Sequence, residues 1–75
     1  MSERLPRITD REIIRVLKQR GFVLSRSSGS HHIYKNAAGK RTTVPVHAGQ
    51  TLHPKVLKSI LRDADMTVEE LKEQL

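Results

Sequence analysis

Two local signals confine the first helix of this chain, and in doing so they dictate what its middle must become. Thr9-Asp10-Arg11-Glu12 has the spacing of a capping box. The Thr9 hydroxyl accepts the Glu12 backbone N–H, Glu12 reaches back to Thr9, and Ile8 and Ile13 are placed as a hydrophobic staple. Gly21, directly after Arg20, is the residue type that adopts the left-handed conformation at a helix C-terminus. Between the two signals Ile13, Val16 and Leu17, with Ile14 beside them, recur at i, i+3, i+4, while Arg11, Arg15 and Lys18 take the other face. One amphipathic helix fits here, and residues 1–7 read as a frayed lead-in ending at Pro6.

Beyond Gly21 the period changes from helical to alternating. Phe22 to Arg26 reads as a first strand, broken by a turn at Ser27-Ser28-Gly29-Ser30. His31 to Lys35 is a second strand, and Asn36-Ala37-Ala38-Gly39-Lys40 connects it as a hairpin to a third strand, Arg41 to Val46. Pro45 lacks the N–H a ladder needs, which places that strand at a sheet edge. His47 to Thr51 is a loop, His53 falls at a helix-cap position and Pro54 suits the first turn of a second helix. Leu57, Ile60, Leu61 and Ala64 form its buried stripe. Met66 to Leu71 repeats the staple and capping box and starts a short last helix running to about Gln74. The order α-β-β-β-α-α predicts an α+β fold, a three-stranded antiparallel sheet with helices packed on one face, spanning residues 1–75 as a single domain.

Strand alternation then decides which side chains are available for chemistry. With Ile33, the most apolar residue of its strand, directed to the helices, His32 and Tyr34 point to the open face. On the third strand Val44 and Val46 go inward, leaving Arg41, Thr43 and the adjoining His47 outward.

The charge pattern favours a polyanionic partner. The chain carries a formal net charge of +6, and from Ile13 to Arg62 it contains no aspartate or glutamate. Arg15, Lys18, Arg20, Arg26, Lys35, Lys40, Arg41, Lys55, Lys58 and Arg62 all lie in that span. Such a field binds nucleic acid through counterion release, and would equally serve an acidic protein. The acids gather instead in the last stretch, Asp63, Asp65, Glu69, Glu70 and Glu73, where they shield the basic surface or solvate a terminal helix. Cysteine is absent, the start lacks an apolar signal-like core, and no run is long enough to span a membrane, so a cytoplasmic protein is expected.

The four histidines are the remaining candidates for reactivity. His31 and His32 leave opposite faces of one strand, and with no cysteine and no carboxylate in the basic span no metal site is expected. A Ser-His-Asp triad lacks its acid, and neither the GxGxxG fingerprint nor the P-loop is present, so no cofactor is called for. What remains is a histidine acting alone on RNA, whose 2′-OH is a built-in nucleophile. The expectation is that His32 takes the 2′-OH proton while Arg41, Lys35 or Arg26 holds the phosphate; from spacing alone, a surface strand histidine with no role is an equal reading. Tyr34 could stack on a base or pack across strands, and His47 could contact phosphate. His31 reads better as a neighbour than as a catalyst. A basic RNA-binding module without catalysis is the competing reading.

The run Gly-Ser-His-His-Ile-Tyr at 29–34, Thr-Val-Pro-Val-His at 43–47 and Leu-x-Pro-x-x-Leu-x-x-Ile-Leu at 52–61 together resemble the HicA family of toxin ribonucleases. The resemblance runs over nearly the whole chain. It implies a fold like a double-stranded-RNA-binding domain, metal-independent cleavage of mRNA, and neutralisation by a HicB-type antitoxin protein. It also implies that the family's catalytic histidine falls on His32, with His31 at a variable position.

Overall fold

The computed structural model describes residues 4–75. Its elements are α1 (Asp10–Gln19), β1 (Val23–Ser28), β2 (His31–Lys35), β3 (Arg41–Pro45), α2 (Pro54–Asp63) and α3 (Val68–Gln74). The three strands form one antiparallel sheet in the order β1-β2-β3, with the helices on one side of it. This is the α+β architecture the sequence predicts, consistent with a double-stranded-RNA-binding-domain-like fold. Pro45 does stand on an edge strand.

Both ends of α1 are built as the sequence indicates. Thr9 Oγ1 accepts the Glu12 N–H at 3.2 Å, and Glu12 Oε1 accepts the Thr9 N–H at 2.8 Å. At the other end Gly21 (φ +90°) donates to the Lys18 carbonyl at 3.1 Å, and Phe22 donates to that of Leu17 at 2.9 Å. These two bonds make a Schellman motif, and the buried side chains of Phe22 and Leu17 supply its apolar contact. Phe22 is therefore the last residue of a helix cap and not the first of a strand, because its N–H is already committed to α1.

The first hairpin also differs from expectation. β1 runs on through Ser27 and Ser28, and the turn shrinks to Gly29 and Ser30. Gly29 has φ +58° at the first of the two loop positions, where a type II′ turn demands glycine. Ser25 is an extra residue in β1, because Leu24 pairs with Tyr34 while Arg26 pairs with Ile33. This bulge carries Arg26 onto the face that Ile33 occupies.

The predicted facing of β2 is reversed. Tyr34 is 3% exposed and lies in the core with Val44, whereas Ile33 is only half-buried. The reason lies in the pairing. The connection Asn36 to Lys40 sets Lys35 opposite Arg41, so Tyr34 meets Thr42 and His32 meets Val44. Directly paired residues share a face. Once Val44 is buried, as expected, His32 and Tyr34 must lie on the helix side and Ile33 on the open side. Tyr34 also has the larger apolar surface to bury.

The second half completes the core. His53 caps α2, its Nδ1 accepting the Lys55 N–H at 3.1 Å, and Pro54 opens the helix. Leu57, Ile60, Leu61 and Ala64 are buried. A second Schellman pair, Met66 N–H to Leu61 and Asp65 N–H to Arg62, ends α2 with Asp65 at φ +56°. Thr67 and Glu70 form the reciprocal cap of α3, which contributes Leu71 to the core. Of the expected lead-in, residues 1–3 lie outside the described residues. Leu5 packs against the core, so that part of the lead-in is docked.

The loop from His47 to Leu52 is tied to the start of α1. Asp10 Oδ2 accepts the His47 N–H at 2.7 Å, the Asp10 N–H donates to the Gln50 carbonyl at 3.4 Å, and Leu52 N–H donates to Ile8 at 2.8 Å. Thr9 and Thr51 form an antiparallel bridge beside them.

Candidate functional site

His32 occupies the middle strand on the helix side. Its partner across β3 is Val44, fully buried beneath the helices, and its partner across β1 is Ser27, which is exposed. Every residue of β1 is exposed, so the helices leave this part of the sheet bare. His32 therefore stands half-buried where covered sheet gives way to uncovered sheet. Strand pairing on both sides fixes its backbone, while its ring has solvent on one flank. Ser30 lies nearby on the same side, its carbonyl accepting the Val46 N–H at 2.6 Å.

The cations expected to share a site with His32 do not. Arg26, Lys35 and Arg41 do come together, with His31, Ile33 and Thr43, but on the opposite, open face. Their side chains leave from the other side of the sheet, so the assignment of these three to the phosphate acted on by His32 is corrected. On the helix side of the sheet α1 buries Asp10, Ile13, Val16 and Leu17 and carries its cations on its outward face, turned away from the sheet. Arg11, Arg15 and Lys18, with Ile14 and Gln19, line a shallow groove of about 450 Å³. The signal for this stripe was in the sequence, as the i, i+4, i+7 spacing of three cations on the exposed face of α1.

Little of this charge is neutralised within the chain. Among the described residues the ion pairs are Arg20–Glu70 at 3.6 Å and Lys40–Asp65 at 3.8 Å. The acidic tail thus engages the end of α1 through Arg20, assisted by a hydrogen bond from Arg20 Nη1 to Gln74 at 3.3 Å. The Glu70 carboxyl is held below its ordinary value, first by the Thr67 amide that caps α3 and then by the Arg20 charge.

Tyr34, expected as a base-stacking residue, is a core residue instead. Its ring has no surface to offer a ligand, and burial pushes its phenol above the ordinary value of 10.0. His47 is exposed just past β3 and lines a separate cleft between that strand and α2. Among the described residues no cluster of three or more His, Cys, Asp or Glu side chains is placed to hold a metal ion.

Asp10 is the structural residue that the sequence reading passed over. It is 1% exposed, yet it is a carboxylate. Burial raises its pKa, but the amides of His47, Arg11 and Gly49, together with the Arg11 charge, outweigh that and hold it below 3.8. Its Oδ1 accepts the Arg11 N–H at 2.8 Å while Oδ2 holds His47. The carboxylate is committed to backbone and is not an orienting acid for His32.

A sequence model described as "HicA toxin of bacterial toxin-antitoxin" matches residues 11–66, well over half of the chain. The chain belongs to the HicA toxin family. The matched span in this HicA toxin starts inside α1 and ends at Met66, so it takes in His32, the α1 groove, the open face and the cleft beside α2. No curated protein matches the chain. Among the described residues no helix is long and apolar enough to cross a membrane.

Proposed function

We propose that this HicA toxin is an endoribonuclease that cleaves mRNA without a metal ion, with His32 as its general acid/base. The observation that carries the reading is the position of His32, fixed by pairing on both sides and open toward bare β1. Neutral His32 takes the proton from a ribose 2′-OH, and the oxygen attacks the adjacent phosphorus. The bond to the 5′-oxygen breaks, leaving a 2′,3′-cyclic phosphate, and the imidazolium returns its proton to the 5′-oxygen. Arg11, Arg15 and Lys18, on the outward face of α1, draw the RNA to the helix side of the sheet by their charge. Arg26, Lys35 and Arg41 bind the RNA backbone on the open face, and His47 contacts phosphate or base beyond β3.

The same positive surface fits a HicB-type antitoxin with an acidic complementary face. Such a partner would inhibit by covering bare β1 and His32.

The test is cleavage of a labelled single-stranded RNA by the purified chain and by His32→Ala, both in EDTA. Cutting by the wild type alone supports the reading. Equal cutting by both removes His32 from the chemistry. Tight binding with no cutting by either would favour a non-catalytic RNA-binding module.

A further inference from the structure

The cleft between β3 and α2 is used by neither the fold nor the cleavage chemistry. It has a volume of about 320 Å³ and is lined by Pro45, His47, Gln50, Thr51, Leu52, His53 and Val56. We propose that it is a pocket for one nucleobase of the RNA, which gives the cleavage reaction a preferred register. This rests on the ribonuclease reading above.

Size sets the first limit. Ligand clefts run from about 300 to 1,000 Å³, so this one admits a single heterocycle and no extended chain. Its chemistry suits a base. Pro45, Leu52 and Val56 give an apolar floor for a ring, while Gln50 offers an amide donor and acceptor and Thr51 a hydroxyl. Two imidazoles supply flat faces of the kind on which unpaired bases stack. The His53 Nδ1 accepts the Lys55 N–H, so that ring carries its hydrogen on Nε2 and can donate from it. No lining residue is acidic, and Lys55 beside His53 gives an attached phosphate a cation.

The cleft is also preformed. Consecutive left-handed residues, Ala48 at φ 48° and Gly49 at φ 83°, turn the loop tightly, and Gln50 N–H closes it onto His47 at 2.9 Å. Buried Asp10 then locks the His47 amide, and the Thr9–Thr51 bridge fixes the far side. A rigid loop loses little freedom on binding, which is what selectivity for a small ligand requires. Finally, Pro45 is the cross-strand partner of His31. The cleft therefore lies one strand over from the His31-His32 strand, beyond β3, where it takes a base of the same RNA a few nucleotides from the one being cut.

The experiment titrates the isotope-labelled full chain with AMP, GMP, CMP and UMP, and with ribose 5-phosphate as the baseless control, following amide shifts. The result expected is saturable shifts at residues 47–56 with Kd on the order of 1 mM. One base should be preferred by at least ~3-fold, with a weaker response to ribose 5-phosphate. Gln50→Ala and His53→Asn should each weaken that binding by roughly 3- to 10-fold, Asn being chosen because it keeps the helix cap. On RNA, Gln50→Ala should redistribute the cut sites. Equal shifts from ribose 5-phosphate would overturn the pocket in favour of a phosphate contact. So would unchanged cut sites in an active Gln50→Ala enzyme. Base-selective binding by a chain that cuts no RNA would confirm the pocket as a mononucleotide site while defeating the ribonuclease reading.

Discussion

The two faces of the sheet are made from the same three strands, alternate residue by alternate residue, yet they have opposite characters. The helix side carries Tyr34, Thr42 and Val44 into the core and leaves His32 at the boundary where cover ends. The open side carries Arg26, His31, Lys35, Arg41 and Thr43. The side with the proton exchanger is therefore not the side with the densest strand-borne charge. On the proposed mechanism, reaction and attraction are separated by one sheet thickness. The proposed division of work, binding on the open face and chemistry at His32, makes the two faces separable by mutation.

The largest effect that would break this comparison is at His32. His32→Ala should lower RNA cleavage by roughly 10²- to 10⁴-fold, the usual worth of a general acid/base, measured with saturating RNA. Replacing Arg26, Lys35 and Arg41 together by alanine should instead weaken RNA affinity rather than the saturated rate. The slope of log affinity against log salt should fall in magnitude by about 2, at roughly 0.7 per contact with a single strand. If the open-face triple variant slows the saturated rate as much as His32→Ala does, the two faces do not divide the work.

The facing itself can be tested by stability. Tyr34→Ala should cost about 3–5 kcal/mol, as removal of a buried aromatic does, whereas Ile33→Ala on the open face should cost about 1 kcal/mol or less. Urea midpoints of the two variants would show it. Equal losses would mean that the open face is covered after all.

Asp10 links α1 to the loop that carries His47. Asp10→Ala should destabilise by about 1–3 kcal/mol, because it strands two partly buried amides. Since folding lowers this carboxyl's pKa, its stabilisation is present above the unfolded value of 3.8 and is lost as pH falls below it. Urea unfolding of the wild type between pH 6 and about 3 should show that decline, and Asp10→Asn should flatten it. The smallest effect concerns the paired helix ends. Asp65 holds the left-handed position that Gly21 holds in α1. Asp65→Gly should therefore raise stability by about 1 kcal/mol, and lose only an exposed ion pair to Lys40. Thermal unfolding would resolve it.

Much of this architecture was legible from residues three or four apart. Thr9 with Glu12, Thr67 with Glu70, Gly21 and the His53-Pro54 pair act within a single turn of backbone, so the sequence states them outright. The boundary of β1 was misread because Phe22 has strand chemistry but has its amide bound by Leu17. The facing of β2 was misread because hydropathy ranks Ile33 above Tyr34. The parity was nonetheless present in the connection Asn36 to Lys40, which sets Lys35 against Arg41 and so His32 against the inward Val44. At the candidate site His32 was singled out from its residue type and surroundings. Its cationic neighbours were misassigned through the same facing error.

By itself, then, the sequence determined the caps, the element order, the basic field and the isolation of the histidines from acidic partners, all of them local or compositional properties. Tertiary structure alone decided that the helices stop short of β1, that the bulge at Ser25 moves Arg26 to the open face, and that a carboxylate in α1 holds a loop far along the chain. Each of these depends on groups distant in sequence competing for the same buried space or the same hydrogen-bond partner, and that competition is settled only when the chain has closed on itself.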